Sequence, residues 1–282
     1  MTTRTAEILA RRIGLGLGVV LLGTWSLAPA VWQVLTALKP DVQITATPTV
    51  YLPRPATLAH VEALWVRKPF ATFLVNSAII SGMATLVSVS VGALAAAALT
   101  GLKPHVRDRV LIGLLLVVLF PPILLLFPLY EGVRWLGWLN HPLALILPYA
   151  ALSLPLSVWI LESGLRAIPS AIDEAAILDG LGPISRLARI HLPLAAPSVT
   201  AAVLLVFMFC WNEFMLAVTF MPRETAKTVT AGIASVGGSS IYEIPWGQLS
   251  AAVVIATTPL VLLVLLFERR IVAGLTRGAV KG

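Results

Sequence analysis

The chain has 282 residues, of which 58% are hydrophobic and 12% are charged, and its mean hydropathy is +0.93. Soluble domains carry about 25% charged residues, so this composition excludes a soluble globular protein and indicates a polytopic membrane protein. The net charge of +7 does not require a nucleic-acid partner, because basic residues in short loops orient membrane proteins. Cys210 is the sole cysteine, so no disulfide can form within the chain.

Six apolar stretches are each long enough to cross a bilayer as a helix of about 20 residues. They cover residues 13–35, 73–99, 110–129, 143–161, 198–220 and 249–267. The first follows three arginines, as the apolar core of a signal peptide does, but it is longer than such a core. The sequence therefore predicts an all-α fold with an N-terminal segment (1–12), a transmembrane domain (13–268) and a C-terminal tail (269–282).

The composition of the stretches predicts how they pack. Prolines at positions 121, 122, 148 and 155 lie within the third and fourth stretches, which are therefore expected to be kinked. The second stretch is rich in alanine, serine and glycine, which let helix backbones approach closely. We expect this stretch to lie inside the helical bundle.

Basic residues predict the orientation of the chain. With six spans, 13 of the 20 lysine and arginine residues fall on the side that carries both termini. The excess of positive charge marks the cytoplasmic side. Both termini, and the polar segment of residues 170–197 between the fourth and fifth stretches, are therefore predicted to be cytoplasmic.

The first half of this polar segment predicts a short helix over residues 171–179. Ser170 is expected to cap the helix together with Asp173, since the two side chains can accept the free N–H groups of a first turn. Gly180 and Gly182 are expected to end it in left-handed conformations, which glycine adopts without steric cost.

The second half of the segment predicts another helix. Pro183 suits its first position, apolar residues follow at helical spacing, and Pro193 is expected to end it. Isolated helices shorter than about 12 to 15 residues are marginal in water, so something must pack against the segment. A membrane surface is one candidate, but Asp173, Glu174 and Asp179 would face anionic headgroups. The residues therefore favour a protein partner.

A search for catalytic motifs finds little. The sequence has no G-x-x-x-x-G-K-[ST] phosphate loop, so ATP hydrolysis by that route is excluded. The four histidines are assigned to loops, and none has a second histidine or a cysteine at a metal-ligand spacing. We expect this chain to be no enzyme and to hold no metal and no catalytic residue.

The fifth stretch contains Trp-Asn-Glu-Phe at residues 211–214. A carboxylate in a transmembrane helix costs about 2.5 to 3.5 kcal/mol, so Glu213 is expected to face a cavity or a partner. Alternatively, Glu213 lies near the outer interface, with Trp211 in the aromatic belt. The residues alone favour neither interpretation.

The polar segment also carries a family pattern, with Glu174-Ala175-Ala176, Asp179-Gly180, Ile190 and Leu192-Pro193 at fixed spacing. It resembles the EAA loop of the permeases of ATP-binding-cassette (ABC) importers, with departures at Leu181 and Leu187. In that family the loop is a coupling helix that seats in a cleft of the cytoplasmic ATPase subunit. The resemblance implies that the coupling residues are Glu174, Ala175, Ala176, Asp179, Gly180, Ile190 and Pro193.

The resemblance extends to nearly the full length of the chain. The Trp-Asn-Glu sequence is similar to the fifth helix of sugar permeases, which borders the translocation path. Residues 271–282 are similar to the C-terminus of MalG-like permeases, which reaches toward the ATPase dimer interface. The resemblance implies a substrate path at Asn76, Trp211, Asn212 and Glu213. It also implies ATPase contacts of the tail at Thr276, Gly278 and Lys281.

The sequence is thus identified as a member of the carbohydrate ABC importer permeases, MalG-like, with a MetI/MalG-like permease fold. The implied partners are a homologous second permease subunit, two copies of an ATPase subunit that bind ATP and Mg, an extracytoplasmic substrate-binding protein, the lipid bilayer and a sugar. No cofactor is expected in this chain itself, and the implied location is the bacterial cell (inner) membrane. The loops at residues 39–72 and 221–247 are candidates to meet the binding protein.

Two other functions fit the composition. One is an ion-coupled secondary transporter that uses Glu213, although paired midplane carboxylates and inverted repeats are not evident. The other is a purely structural subunit of a membrane assembly, for which the polar segment would bind something other than an ATPase.

Overall fold

A computed structural model describes the backbone of residues 3–237 and 244–279, and the side chains of residues 12–237 and 244–267. Within these ranges the chain is helical and contains no strand. In chain order the helices are α1 (Thr3–Leu38), α2 (Asp41–Ile44), α3 (Ala59–Arg67), α4 (Phe70–Thr100), α5 (Pro104–Leu119), α6 (Ile123–Trp135), α7 (Leu143–Arg166), α8 (Ser170–Leu178), α9 (Pro183–Arg186), a π turn (Leu187–His191), α10 (Leu192–Leu194), α11 (Ala196–Asn212), α12 (Met215–Phe220), a 3-10 turn (Glu224–Ala226), α13 (Val229–Ala234) and α14 (Trp246–Ala279).

Within the described ranges, four segments are long and apolar enough to cross a membrane as single helices. They are Arg12–Leu38, Phe70–Thr100, Leu143–Arg166 and Trp246–Phe267. Two further pairs meet the same test but are sharply bent, by 86° between α5 and α6 and by 87° between Pro183–Leu194 and α11. The number of spans reaches the predicted six if each bent pair counts as one.

The predicted third span (110–129) is two helices and not one kinked helix. Phe120 leaves the helical conformation, with φ −68° and ψ 130°. It precedes Pro121, and the proline ring clashes with a helical residue before it. The fourth predicted span, by contrast, continues through Pro148 and Pro155 as part of α7.

The predicted C-terminal tail (269–282) is helical as far as Ala279, because α14 continues past the predicted last span and includes Thr276 and Gly278. Lys281 lies outside the described residues. Of the four histidines assigned to loops, only His141 lies outside a helix, since the others lie in α3, α5 and the π turn.

The helices form two compact units. One unit comprises residues 1–68 and 235–257, with α1 to α3 and the first turns of α14. In it, the Nε2–H group of His60 donates a hydrogen bond to the Lys39 carbonyl (2.9 Å), and the ring packs directly on Gly247. Any side chain at position 247 would collide with that ring, so this glycine is required for the close approach.

The second unit comprises residues 69–234 and 258–282 and is built around α4, α7 and α11. Small residues set the helix spacing, as the sequence predicts for α4. A Cβ at Gly92 would stand 2.7 Å from the Cβ of Ser157, so α4 and α7 touch at that point. Beside it, Ser153 donates to Ser88 (3.0 Å), whose hydroxyl also bonds that of Ser157 (2.8 Å). Backbone proximity and a buried hydroxyl network thus hold the two helices together.

Candidate functional site

The polar segment of residues 170–197 forms a compact projection, here called the knob. Its first helix ends as predicted at Gly180, which has a φ of +78°. The Gly180 N–H donates to the Ile177 carbonyl (2.9 Å) and the Leu181 N–H to the Ala176 carbonyl (3.0 Å). These two bonds form a Schellman motif, which requires a left-handed residue at its centre. The direction in which the chain leaves α8 is therefore fixed by Gly180.

The expected cap at the start of the knob is wrong. Ser170 is the first residue of α8 and its side chain makes no capping bond. Asp173 instead accepts hydrogen bonds from Arg186 Nη1 (3.2 Å) and pairs with His191 Nε2 (3.0 Å). This carboxylate therefore joins α8 to α9 and the π turn. Arg186 and His191 were missed from the sequence because they lie 13 and 18 residues from Asp173.

Two other expectations about the knob are also wrong. Gly182 is extended, with φ −67° and ψ 162°, and precedes α9 without a left-handed conformation. Pro193 does not end the second helix, which continues through it to Leu194. The π turn ends at His191, and Pro193 lies in the first turn of α10, where a missing N–H is tolerated.

The predicted coupling residues divide by exposure. Ala176 is buried, Ile190 is half-buried, and the exposed ones are Glu174, Ala175, Asp179, Gly180 and Pro193. Beside them, Leu178 is 88% exposed and Ile184 is 73% exposed. Leu187 is buried in a cluster with residues of α4 and α7, including Ala96 and Leu161. The knob is thus anchored on the helical bundle and presents large apolar side chains outward, as a surface for a partner would.

Removing the charge of Asp173 is expected to loosen the knob. Because the carboxylate is 40% exposed, its pairs with Arg186 and His191 contribute only about 1 kcal/mol. Asp173→Asn should therefore speed backbone amide exchange in residues 183–194 by about fivefold, measured by hydrogen-exchange mass spectrometry. Asp108→Asn breaks a comparably exposed pair with Arg107 and should leave this exchange unchanged. Equal exchange in both variants would contradict the assigned role of Asp173.

A second group of polar residues lies where the predicted fifth span is interrupted. The chain leaves the helix at Glu213, with φ −66° and ψ 130°, and α12 begins at Met215. The Glu213 carboxylate accepts hydrogen bonds from the N–H groups of Leu216 (3.0 Å) and Ala217 (3.2 Å) and from the Tyr149 hydroxyl (2.6 Å). Glu213 therefore caps a new helix inside the apolar stretch and ties it to α7.

Of the remaining predicted path residues, Trp211 and Asn212 directly precede this break, at the end of α11. Trp211 is buried, with its ring 5.6 Å from that of Phe207, whereas Asn212 is exposed and donates to the Met208 carbonyl (2.8 Å). Asn76 lies on α4 and donates to the carbonyls of Thr225 and Lys227 (3.0 Å each).

Residues 221–234 are more ordered than the loop that the sequence predicts. Ser77 accepts from the Val229 N–H (2.8 Å) and Thr230 donates to the Glu213 carbonyl (2.8 Å). Asn140, left-handed at φ +63°, accepts from the Arg223 N–H (2.7 Å). Asn76 and Glu213 are thus each hydrogen-bonded to this segment, and Asn76 also lines a cleft of about 230 Å³ between the segment and α4. Residues 238–243 of the predicted loop lie outside the described residues.

Residues 88–277 match the protein family described as "Binding-protein-dependent transport system inner membrane component". The chain belongs to this family. The match includes the knob, the interrupted fifth span and most of α14. The predicted resemblance to ABC importer permeases is therefore confirmed, and with it a multi-pass membrane protein.

Relatives of this permease match it over nearly its full length. It is 40% identical over 279 residues to the trehalose/maltose transport system permease protein MalG of Thermococcus litoralis, covering 98% of this chain and 99% of the relative. It is 37% identical to the sulfoquinovosyl glycerol transport system permease protein SmoH of Agrobacterium fabrum, covering 91% and 89%. It is also 37% identical to the trehalose transport system permease protein SugB of Mycobacterium tuberculosis, covering 92% and 93%.

The fold has a solved counterpart. The permease superposes with a TM-score of 0.76 on a chain of a bacterial ABC transporter involved in import of the acidic polysaccharide alginate, covering 95% of this chain and 98% of that one. Sequence identity is 16%, so the likeness concerns the fold. The all-α permease fold predicted from the sequence is confirmed, and family membership does not support the ion-coupled alternative.

Proposed function

We propose that this permease forms half of the translocation pathway of an ATP-driven importer for a sugar or related carbohydrate. The observation that carries the proposal is the knob, which is braced internally by Asp173 and leaves Leu178 and Ile184 exposed. Large apolar side chains so exposed on a polar projection mark a protein interface. The relatives named for trehalose, maltose and sulfoquinovosyl glycerol transport support a carbohydrate substrate.

The partner of the knob in this proposal is a cytoplasmic ATPase subunit, present in two copies, which binds ATP and Mg. Glu174, Asp179 and Gly180 lie on the exposed side of the knob together with Leu178. Movement of the ATPase subunits is transmitted to α4 and α7 through the buried Leu187. For this coupling to work, the knob must make different contacts with the ATP-bound and the ATP-free ATPase subunits.

The other components follow from the same proposal. A homologous permease completes the pathway, and an extracytoplasmic binding protein delivers the sugar. In this arrangement the permease lies in a bacterial cell membrane with both termini in the cytoplasm. The sugar passes beside the interrupted fifth span, where Asn76, Trp211, Asn212 and Glu213 lie. Thr276, Gly278 and Lys281 of the C-terminal segment contact the ATPase dimer.

The proposal is tested by changing the exposed edge of the knob. Leu178→Glu should leave the fold intact and weaken ATPase binding more than about tenfold, because docking would bury a charge in place of a leucine. Co-purification of the ATPase subunit and ATP-driven uptake of labelled trehalose or maltose into proteoliposomes measure the two effects. Leu102→Glu adds the same charge at an exposed leucine between α4 and α5 and is the matched control. Unchanged ATPase binding in Leu178→Glu would overturn the proposal.

A further inference from the structure

A polar cavity lies in the first unit, between the end of α1 and the beginning of α14. Its volume is about 270 Å³. Its lining combines an ammonium group, hydroxyls, an amide and two indole rings, supplied by Trp32, Gln33, Thr36, Lys39, Thr45, Trp246 and Ser250. None of these residues belongs to the knob or to the interrupted fifth span.

Lys39 is the unusual member of this lining. Its side chain is only 2% exposed, and its ammonium group lies 4.2 Å from the centre of the Trp32 ring. Among the residues whose side chains the structure describes, no carboxylate lies within ion-pair distance of its ammonium group. The carboxylate of Asp41, two residues along the chain, lies 3.7 Å from His60 Nε2. A buried cation without a counter-ion is costly, and a cation–π contact offsets only part of that cost.

Thr36 adds a second unsatisfied group to the same cavity. Its side chain is 7% exposed, and its hydroxyl has no hydrogen-bond partner in the described part of the chain. Lys39 follows the last residue of α1, where a positive charge is favoured by the helix dipole, but that position does not require the ammonium group to be buried. Both groups fit a ligand that is negatively charged and accepts hydrogen bonds.

The beginning of α14 reinforces this preference. Trp246 and Ser250, from its first two turns, line the cavity opposite Lys39. The N-terminal end of a helix carries partial positive charge, which favours anions. The N–H groups of Trp246 and Leu249 are bonded to the carbonyls of Ile244 (2.8 Å) and Pro245 (2.9 Å), so α14 contributes its partial charge and the Ser250 hydroxyl, and Lys39 remains the main positive group.

We propose that this cavity binds the phosphate and polar headgroup of an anionic phospholipid. The apolar segment of α1 that could cross the membrane ends at Leu38, one residue before Lys39, so the cavity lies at the boundary of the span. Trp32 and Trp246 are both partly exposed there, as aromatic residues at a membrane interface are. A headgroup phosphate lies at that depth, and its acyl chains would follow the exposed apolar face of α1. This inference does not depend on the proposed transport function.

The test compares lipid retention by the full-length chain, purified with its co-purifying partners, in nanodiscs of phosphatidylcholine with and without phosphatidylglycerol. Native mass spectrometry should show phosphatidylglycerol enriched on the wild type. Lys39→Gln keeps the stem and removes the charge, and should reduce the enrichment by about fivefold. Thr36→Val keeps the shape and removes the hydroxyl, and should reduce it by about threefold. Arg54→Gln removes an exposed charge from the same unit and should retain the wild-type enrichment.

Three results would overturn the proposal. One is equal phosphatidylglycerol retention by the wild type, Lys39→Gln and Thr36→Val. A second is Lys39-dependent thermal stabilisation by soluble glycerol phosphate without any enrichment of the lipid, which would assign the cavity to a soluble phosphate ester. A third is loss of a partner subunit from Lys39→Gln with unchanged lipid, which would assign it to a carboxylate of that subunit.

Discussion

Replacing Gly180 by proline is expected to reduce ATP-driven sugar uptake at least about tenfold, because proline in an incompatible backbone position costs about 3 kcal/mol. The φ of +78° at this position lies far from the value near −65° that the proline ring imposes. Proline also removes the N–H that donates to the Ile177 carbonyl in the Schellman motif. The turn between α8 and α9 could not close, and the exposed edge of the knob would lose its shape.

The same turn contains its own control. No atom lies within 4 Å of a Cβ built at Gly180 or at Gly182, so substitutions at these positions differ in backbone conformation and not in contacts. Gly182→Ala should be near neutral, since φ is −67° there, whereas Gly180→Ala should cost about 1 to 2 kcal/mol. Gly180→Asn should be milder, because asparagine tolerates the left-handed region.

Uptake into proteoliposomes, with expression and ATPase co-purification measured in parallel, separates the outcomes. The expected order of uptake is wild type and Gly182→Ala, then Gly180→Asn, Gly180→Ala and Gly180→Pro. If Gly180→Pro transports at the wild-type rate, the turn does not set the geometry of coupling.

The knob illustrates which parts of a site a sequence can predict. The left-handed turn at Gly180 was predictable, because it depends on one residue type and its immediate neighbours. The role of Asp173 was not, because an aspartate near a helix start can cap its own helix or bind a distant cation with similar energy. Arg186 and His191 decide between the two only after the chain has folded back.

The two interrupted spans also differ in how far the sequence predicts them. The paired prolines at 121 and 122 predict a kink in the third span, and the structure shows a bend of 86° between two separate helices. No glycine or proline marks the interruption of the fifth span at Glu213, and hydropathy alone predicts a continuous helix there. The break is stabilised by tertiary contacts with Tyr149 and Thr230, which no local pattern encodes. The cavity at Lys39 is similar, because a lysine after an apolar run predicts a solvated loop and not a buried cation.

Replacing Glu213 by alanine is expected to destabilise the permease by about 3 kcal/mol and to reduce uptake more than about tenfold. The substitution leaves three donors without their acceptor: the N–H groups of Leu216 and Ala217 and the Tyr149 hydroxyl. Because Tyr149 is fully buried, water cannot readily replace the lost bond. Thermal unfolding of the purified complex and uptake measure the two effects. Glu131→Gln alters an exposed carboxylate paired with Arg134 at 3.7 Å, and should change neither.

A double-mutant cycle distinguishes a structural role of Glu213 from a role in carrying an ion. Glu213→Gln keeps one acceptor oxygen but places an amide N–H₂ against a donor, so it should destabilise the fold by about 1 to 3 kcal/mol. Tyr149→Phe should cost about 1.5 kcal/mol alone and much less in the Glu213→Gln background, because both changes break the same bond. A residue that carried an ion would behave differently. Its neutralisation would abolish uptake under an ion gradient without destabilising the fold, and the effects of Tyr149→Phe and Glu213→Gln on stability would then be additive. The close contact between carboxylate and phenol favours the first outcome, in which Glu213 holds the interrupted helix against α7.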